Sequence, residues 1–256
     1  MHSEAIEVRG LTKVFRRTTA VDDLSFSVAR GRFFGFLGPN GAGKSTTIKM
    51  LTGLLRPTRG EVAIEGVRLA DDLLAVKGMI GVLPEELFLY ERLTGEEYLH
   101  FAGRMYGLPK DETRRRSDEL LEFLSLQEDR GKLIVDYSQG MRKKVALAAA
   151  LIHSPRVLFL DEPLNGIDPV SGRIVTDLLT RLARKGVTLF FTSHGLDVVE
   201  RLCDEVAIID RGRLIVQGSL AEIRRKRELG ESASLEDVFL KLVSADVARQ
   251  DLSWIG

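Results

Sequence analysis

The sequence predicts an α/β fold whose core is a mostly parallel β-sheet. Three short segments, residues 157–160, 188–192 and 206–209, are almost wholly apolar and are separated by stretches with helical spacing. Continuous apolar strands of this kind are typical of a parallel sheet that helices cover on both faces. With 256 residues, of which 44% are hydrophobic, the chain is long enough to bury a sizeable core.

The N-terminal part of the chain predicts an antiparallel region beside this core. Residues 6–15 and 24–28 cluster apolar residues as strands do, and residues 18–23 between them are predicted to be a polar turn. Further elements are predicted as a helix at 44–54, a strand at 61–65, a helix at 73–77, a strand at 79–83 and helices at 219–226 and 234–243.

A long stretch without a convincing strand follows the strand at 79–83 and predicts an inserted helical lobe. Its helices are predicted at residues 94–106, 110–124 and 139–153. We therefore expect a single domain with a sheet core at 1–84 and 155–218, a helical lobe at 85–154 and a C-terminal helical extension at 219–256. One face of the extension carries apolar side chains that predict ordinary packing, namely Leu235, Val238, Phe239 and Leu242.

The charge balance and the short apolar runs limit the classes of function. Lys plus Arg and Asp plus Glu both number 37, and the formal net charge of zero gives no general attraction to nucleic acid. The single cysteine, Cys203, excludes an internal disulfide and is expected to be a small core residue. The first seven residues lack a secretory signal, and the apolar run 145–152 is shorter than the roughly 20 residues of a membrane helix. We therefore expect a cytoplasmic protein that meets a membrane only through a partner.

One glycine-rich segment, residues 38–45, has the pattern G-x-x-x-x-G-K-[ST] between a predicted strand and a predicted helix. In that context the loop amides and the helix N-terminus point at phosphate oxygens. Lys44 would bring a charge to the β- and γ-phosphates, and the Ser45 hydroxyl would ligate Mg²⁺. The matching flanks disfavour the alternative, a glycine-rich turn that binds nothing. The predicted nucleotide-binding residues here are Gly38, Pro39, Asn40, Gly41, Ala42, Gly43, Lys44, Ser45 and Thr46.

Two carboxylates follow the apolar strand at 157–160. Asp161 therefore leaves the carboxyl end of the predicted parallel sheet, where ligands bind in such folds. Its charge would lie on the Mg²⁺ side of a bound nucleotide, while Glu162 is placed to accept a proton from an attacking water. An acidic pair that caps the next helix is the alternative, and the glycine loop elsewhere in the chain favours hydrolysis.

The segment Tyr137-Ser138-Gln139-Gly140-Met141 stands directly before a predicted long helix. It resembles the signature motif of the ABC transporter ATPases, and the resemblance extends over nearly the whole chain. Phe15 lies where that family stacks an aromatic ring on adenine, and His194 matches its switch histidine. Asp168 lies where the family's D-loop falls. From the residues alone, Phe15 could be a core side chain, Asp168 a helix cap and His194 a strand-end residue.

The resemblance implies a site shared between two ATPase domains, in a homodimer or a heterodimer with a related ATPase. The domains would face each other head to tail, with each ATP between the glycine loop of one and the signature of the other. Ser138 and the Gly140 backbone would then contact the γ-phosphate from the second copy, and His194 would hold the γ-phosphate and the attacking water. Closure on ATP and reopening after hydrolysis would move an integral membrane permease, with the helical lobe as the lever.

Two departures from the family's usual pattern indicate a branch within it. Where a glutamine is usual, the chain has Glu85, which would face Mg²⁺ or water and add a negative charge. The signature has Gln139 and Met141 where glycine and glutamine are most frequent. Together with the C-terminal run at 235–240, these features resemble the branch in which one ATPase polypeptide serves a separately encoded permease, mostly in exporters.

Two other classes of function are alternatives to a transporter. Soluble ABC proteins that act on DNA or ribosomes have either two ATPase domains in one chain or an ATPase domain that a long coiled coil interrupts. This sequence shows neither pattern. A small-molecule kinase with the same phosphate loop would need neither the segment 137–141 nor His194. We therefore predict an ABC transporter ATPase subunit at the inner face of the cell membrane, with ATP and Mg²⁺ as cofactors and no nucleic-acid partner. The predicted catalytic residues are Lys44, Glu162 and His194, and the predicted metal ligands are Ser45, Asp161 and Glu85.

Overall fold

The structure is a computed structural model that describes residues 4–226 and 233–243, so the predicted extension at 219–256 lies partly outside the described residues. The strands are β1 (Glu4–Phe15), β2 (Thr18–Ala29), β3 (Phe33–Leu37), β4 (Arg59–Ile64), β5 (Val67–Arg68), β6 (Ile80–Leu83), β7 (Val157–Asp161), β8 (Thr188–Thr192), β9 (Glu205–Asp210) and β10 (Arg213–Gly218). The helices are α1 (Lys44–Leu51), α2 (Leu73–Met79), α3 (Gly95–Met105), α4 (Lys110–Phe123), α5 (Gln139–Leu151), α6 (Pro169–Arg184), α7 (Leu196–Leu202), α8 (Leu220–Lys226) and α9 (Leu235–Val243), with a 3-10 turn at Ile134–Asp136.

The described strands form two sheets. The first is antiparallel, in the order β2-β1-β4-β5. The second has the order β10-β9-β3-β8-β7-β6, and its neighbours from β9 to β6 run parallel, while β10 pairs antiparallel with β9. The predicted α/β class, with a mostly parallel core and an antiparallel region on the N-terminal side, is confirmed.

The structure corrects the prediction around residues 18–23. This segment is strand rather than turn, because β2 begins at Thr18, which pairs with Phe15 of β1. The chain reverses at residues 16–17, where Arg16 adopts a left-handed φ of +50°. The polar residues belong to a solvent-facing strand end, and β-branched threonines favour extended backbone there. The edge strand β10 is also additional to the predicted elements.

An aromatic cluster joins the two sheets. Phe190 of β8 lies at its centre, and the distance from its ring centroid to each neighbouring ring centroid is between 5.1 and 6.1 Å. The neighbouring rings are those of Phe26, Phe34, Phe36 and Phe159. Phe26 belongs to the antiparallel sheet and the other four rings to the parallel sheet, so the two sheets share one core. This core holds the strands whose carboxyl ends carry the loops of the candidate site.

The opposite face of the parallel sheet is covered by helices. Leu235 and Val238 of α9 are fully buried in this second core, and Phe239 and Leu242 pack against it, so the predicted packing face is confirmed. Cys203 packs partly buried against the same core, and burial raises the pKa of its thiol.

The lobe helices α3, α4 and α5 pack on one another between β6 and β7 in chain order. α3 begins with a capping box, in which the Thr94 hydroxyl accepts from the Glu97 amide and the Glu97 carboxylate accepts from the Thr94 amide. The division into core, lobe and extension stays a prediction. Among the described helices, none has both the length and the apolar character needed to cross a bilayer.

Candidate active site

The glycine loop connects β3 to α1 at the carboxyl end of the parallel sheet. All five residues of β3 are buried, so the loop starts from a fixed point in the core. Gly43, immediately before α1, has a φ of 104°, which disfavours any residue with a Cβ. A Cβ at this position would also lie 2.5 Å from the carbonyl oxygen of Ala20. Glycine is therefore required at position 43 both for backbone conformation and for space.

Lys44 is the first residue of α1, and its ammonium group is turned into the loop. The side chain is largely buried, and its Nζ donates to the carbonyl oxygens of Gly38 at 2.7 Å and Pro39 at 3.2 Å. Burial lowers the pKa of Lys44, while the carboxylates of Glu162 and Asp161 oppose that shift. A desolvated cation in this loop is suited to pair with an anionic ligand.

The acidic pair at the end of β7 is fixed by one hydroxyl on the neighbouring strand. Thr192 Oγ1, at the end of β8, donates to Asp161 Oδ1 at 2.7 Å and accepts from the Glu162 amide at 3.0 Å. Glu162 has a φ of +50°, which is uncommon for a residue other than glycine. Backbone in this conformation persists where the surroundings hold it, and such positions concentrate at functional sites.

The Glu162 side chain is buried against His194. Its Oε2 accepts from the His194 amide at 3.3 Å, and His194 Nε2 lies 3.4 Å from Oε1. Oε1 is nevertheless buried without a hydrogen-bond partner among the described residues. Burial raises the pKa of Glu162, and the nearby His194 and Lys44 oppose the shift. A buried carboxyl with an unused oxygen and a raised pKa is arranged to accept a proton.

These groups converge on one cleft of about 260 Å³. It is lined by Ala20, Asn40, Gly41, Gly43, Lys44, Ser45, Thr46, Glu85, Asp161, Glu162 and His194. Glu85 reaches the cleft because it follows β6, the parallel neighbour of β7, so both strands end at the same edge. Gly38 and Pro39 lie behind the lining and hold Lys44 through their carbonyls, and Ala42 is buried in the same loop.

Ser138, Gly140 and Asp168 form a second cluster and do not line this cleft. Ser138 is the N-cap of α5, and Asp168 Oδ1 accepts two amides of the first turn of α6 at 3.0 and 3.1 Å. A methyl group at Gly140 would lie 3.9 Å from Asp168 Oδ2 and 4.0 Å from Ser138 Oγ. The helix-cap interpretation of Asp168 is therefore confirmed, and the contacts of this cluster with a nucleotide stay a prediction.

Phe15 lies at the end of β1 and is separate from the lining of the cleft. Its side chain is 44% exposed, and Lys13 Nζ lies 5.1 Å from the ring centroid. The alternative that Phe15 is a core residue is therefore wrong. An exposed ring of this kind can stack on a base, and its contact with adenine stays a prediction.

Two residues of the site were missed by the sequence prediction. Ala20 lies in the segment that was predicted as a turn, and the strand β2 brings it to the loop. Thr192 ends an apolar strand, and its importance follows from the pairing of β7 with β8. A polar residue at the carboxyl end of a buried strand is the signal that could have found Thr192.

The fold and the cleft define an α/β protein that binds a nucleoside triphosphate through a phosphate loop. The model of the ABC transporter family matches residues 21–165. The linearmycin resistance ATP-binding protein LnrL of Bacillus subtilis (strain 168) is 39% identical over 218 residues, 85% of this chain and 70% of that protein. The daunorubicin/doxorubicin resistance ATP-binding protein DrrA of Streptomyces peucetius is 40% identical over 222 residues, 87% of this chain and 67% of that protein. The chain therefore belongs to the ABC transporter family and is one of its ATP-binding ATPase subunits.

Solved structures agree with this assignment. One described as the ATP binding subunit of an ABC transporter has a TM-score of 0.88 and 35% identity, covering 93% of this chain and 99% of that chain. CbiO1 of Clostridium perfringens, described as part of the ABC transporter complex cbiONQ, has a TM-score of 0.75 and 28% identity, covering 89% and 93%. The predicted family, fold and ATPase class are confirmed, and the kinase alternative is excluded.

Proposed function

We propose that this chain hydrolyses ATP to power export through a separate membrane permease. The observation that carries the proposal is the cleft in which Lys44, Asp161, Glu162 and His194 meet beside the glycine loop. A relative from Ralstonia nicotianae, 40% identical over 218 residues, is named the Nod factor export ATP-binding protein I, which supports the direction of transport. The transport names of the relatives favour this function over a role on DNA or ribosomes.

The residues of the cleft fit a bound Mg²⁺ ion. The Ser45 hydroxyl and the carboxylates of Asp161 and Glu85 all line it, and Mg²⁺ prefers such oxygen donors. Among the described residues, no group of three or more His, Cys, Asp and Glu side chains is arranged as a metal site. Mg²⁺ keeps several waters and is bound by one or two carboxylates plus phosphates, so the donors that line the cleft are sufficient to hold it. When bound, Mg²⁺ would neutralise charge on the phosphates.

The protein's own groups divide the work of hydrolysis between binding and proton transfer. The loop amides and Lys44 would bind the phosphates, with Lys44 exchanging the Gly38 and Pro39 carbonyls for phosphate oxygens. Glu162 Oε1, which has no hydrogen-bond partner in the described part of the chain, would accept the proton of the attacking water. His194 Nε2, 3.4 Å from that oxygen, would hold the water and the γ-phosphate.

The second cluster would complete the site of another copy of the chain. Ser138 is exposed at the N-terminus of α5, a helix of 13 residues whose amide end favours anions. Because Ser138, Gly140 and Asp168 lie outside the cleft of their own chain, a head-to-tail dimer would be needed to bring them to a γ-phosphate. Each ATP would then be held by two chains, and hydrolysis would reopen the dimer.

An apolar groove of about 630 Å³ lies between the core and the helical lobe. Several of its side chains are exposed, with Phe88 at 86% and Leu74 at 81%, and exposed apolar patches mark interaction sites. The segment that contributes Phe88 starts at Glu85 of the cleft. We propose that the cytoplasmic side of the permease docks in this groove and holds the chain at the inner face of the membrane.

We expect Phe88→Asp to abolish co-purification with the permease from detergent-solubilised membranes, because the charge would have to be buried in the apolar contact. ATP turnover of the purified chain alone should stay within about twofold of the parent, since Phe88 does not line the cleft. Leu240→Asp is the control, because Leu240 is a half-exposed residue of α9 outside the groove. Equal recovery of permease with Phe88→Asp and with the parent would rule out this docking site.

For Glu85 we expect a shift in the Mg²⁺ dependence of ATP turnover. Glu85→Ala removes an oxygen donor and should raise the half-maximal Mg²⁺ concentration by about tenfold, the scale for losing a supporting ligand. Glu85→Gln keeps one oxygen and should lie between Glu85→Ala and the parent. Glu86→Ala is the control, because Glu86 is an exposed carboxylate that does not line the cleft. If both Glu85 variants titrate like the parent, Glu85 has no metal contact.

A further inference from the structure

A second buried lysine lies behind the candidate catalytic acid. Lys143 of α5 is 4% exposed, and its Nζ donates to the backbone carbonyl of Glu162 at 2.6 Å. Lys143 does not line the cleft, so it is not placed to touch the nucleotide. Burial lowers its pKa, while the carboxylates of Glu162, Glu85 and Asp161 favour its charged form. A buried cation costs free energy unless it is paired, and the carbonyl of Glu162 is its hydrogen-bond partner.

The backbone of Glu162 is therefore held on both sides of its Cα atom. Its N–H donates to Thr192 of β8, and its C=O accepts from Lys143 of α5 at 2.6 Å and from the Asn165 amide at 3.2 Å. Between the hydrogen-bonded N–H and C=O, the backbone of Glu162 is left-handed, with φ at +50°. Because this conformation is disfavoured for residues with a Cβ, these contacts stabilise the backbone that directs the side chain towards the cleft. The Lys143 contact is the shortest of the three and the one that comes from α5.

The helix that supplies Lys143 is the helix that Ser138 caps. Gln139 is the first residue of α5 and Lys143 the fifth, so about one turn separates the cap from the lysine. A rigid helix transmits a shift of its N-terminus along its axis, and Lys143 would carry that shift to the Glu162 carbonyl. The neighbouring Lys144 is 5% exposed, and the acids that act on its charge are Asp168 and Asp129 rather than Glu162.

We propose that Lys143 is a positioning residue, which aligns Glu162 through its backbone carbonyl and couples that alignment to the N-terminus of α5. The proposal rests on the proposed function, in which α5 meets the ATP of the second chain while Glu162 serves the ATP of its own chain. Contact of Ser138 with one ATP then aligns the proton acceptor for the other ATP. Within each chain, the hydrogen bond from Lys143 to the Glu162 carbonyl then couples the two sites of the dimer.

The first test compares Lys143→Met, Lys143→Arg and Lys144→Met in the chain purified with its permease. Met has a similar length and no donor, so kcat should fall about tenfold to a hundredfold, the scale of a misplaced catalytic group. The KM for ATP should stay within about threefold, because the phosphate loop is untouched. Lys143→Arg retains a charged donor and should recover most of the kcat, and Lys144→Met should change kcat by less than about threefold.

Three results would overturn the positioning role: an unchanged kcat in Lys143→Met, an equal loss in Lys144→Met, or a rise in KM that accounts for the whole loss. If Lys143→Met melts below the assay temperature, Lys143→Gln takes its place, with the same expected loss of kcat at unchanged KM. If the parent protein hydrolyses ATP and Lys143→Met has the same kcat, only the positioning role of Lys143 is ruled out. A parent without ATP turnover would remove the proposed function and this inference together.

The coupling is tested by a double-mutant cycle with Ser138→Ala. If Lys143 carries the effect of Ser138 to Glu162, Ser138→Ala should lower kcat less in the Lys143→Met background than in the parent. Thermal melting of the parent, the two single variants and the double variant is the control for lost helix capping. Ser138→Ala should lower the melting temperature equally in both backgrounds. Independent losses, whose factors multiply, would show that Lys143 positions Glu162 without coupling it to Ser138.

Discussion

Glu162→Gln should lower ATP turnover by about a hundredfold or more, the scale for losing a general base. The amide keeps the size of the side chain and an acceptor oxygen but cannot take a proton at neutral pH. The contacts of the Glu162 backbone with Thr192 and Lys143 do not involve the carboxylate, so the local structure should survive the change. ATP binding should therefore be retained, and an ATP-bound dimer should accumulate because reopening requires hydrolysis.

The measurements are steady-state ATP turnover, ATP binding by equilibrium dialysis and oligomeric state by size-exclusion chromatography with ATP and Mg²⁺. Glu86→Gln serves as the matched control, because it is the same substitution at an exposed position outside the cleft. Near-normal hydrolysis by Glu162→Gln would remove Glu162 from the role of base. Lost ATP binding would instead place Glu162 among the groups that hold the nucleotide.

Ser138→Arg should abolish ATP hydrolysis while a monomer still binds ATP. The side chain of Ser138 is exposed at the N-terminus of α5 and lies outside the cleft that holds Lys44. A long, bulky cation at this position would block the approach of α5 to a nucleotide on the second chain. The binding cleft of the same chain should stay intact, because Ser138 contributes nothing to its lining.

Ser138→Ala separates this steric effect from lost helix capping. Ser138 Oγ accepts from the Met141 amide at 3.2 Å, and losing such a cap costs about 1 kcal/mol of stability. Both variants lose the cap, but only arginine blocks the interface, so turnover should fall far more in Ser138→Arg. ATP turnover of both variants and ATP binding by the monomer are the measurements. Unaffected turnover in Ser138→Arg would rule out a site shared between two chains.

The parts of the site that could be predicted from the sequence are those that local chemistry specifies. The loop from Gly38 to Ser45 needs its glycines and its lysine at fixed spacing. Asp161 ends a strand whose apolar residues indicate that the strand is buried. Glu85 could be found only through a family resemblance, and the structure accounts for it by pairing β6 with β7. Because the carboxyl ends of parallel strands lie at one edge of the sheet, the segment that follows β6 lies beside the residue that ends β7.

The residues that escaped prediction are those that depend on pairing between distant segments. Thr192 and Lys143 act on Glu162 from β8 and α5, and neither carries a motif of its own. The residues 18–23 were misassigned because polarity alone suggested a turn, whereas the partner strand β1 keeps them extended. The same extended strand places Ala20 in the lining of the cleft. Tertiary pairing overrides local preference at these positions.

The ring cluster around Phe190 has a consequence for the way the molecule unfolds. Its rings come from β2, β3, β7 and β8, so loss of either sheet would expose aromatic surface on the other. Buried aromatic contact of this extent makes separate melting of the two sheets unfavourable. The antiparallel sheet and the phosphate loop therefore belong to one cooperative unit, and heating should dismantle the nucleotide cleft in the same transition as the sheet beside it.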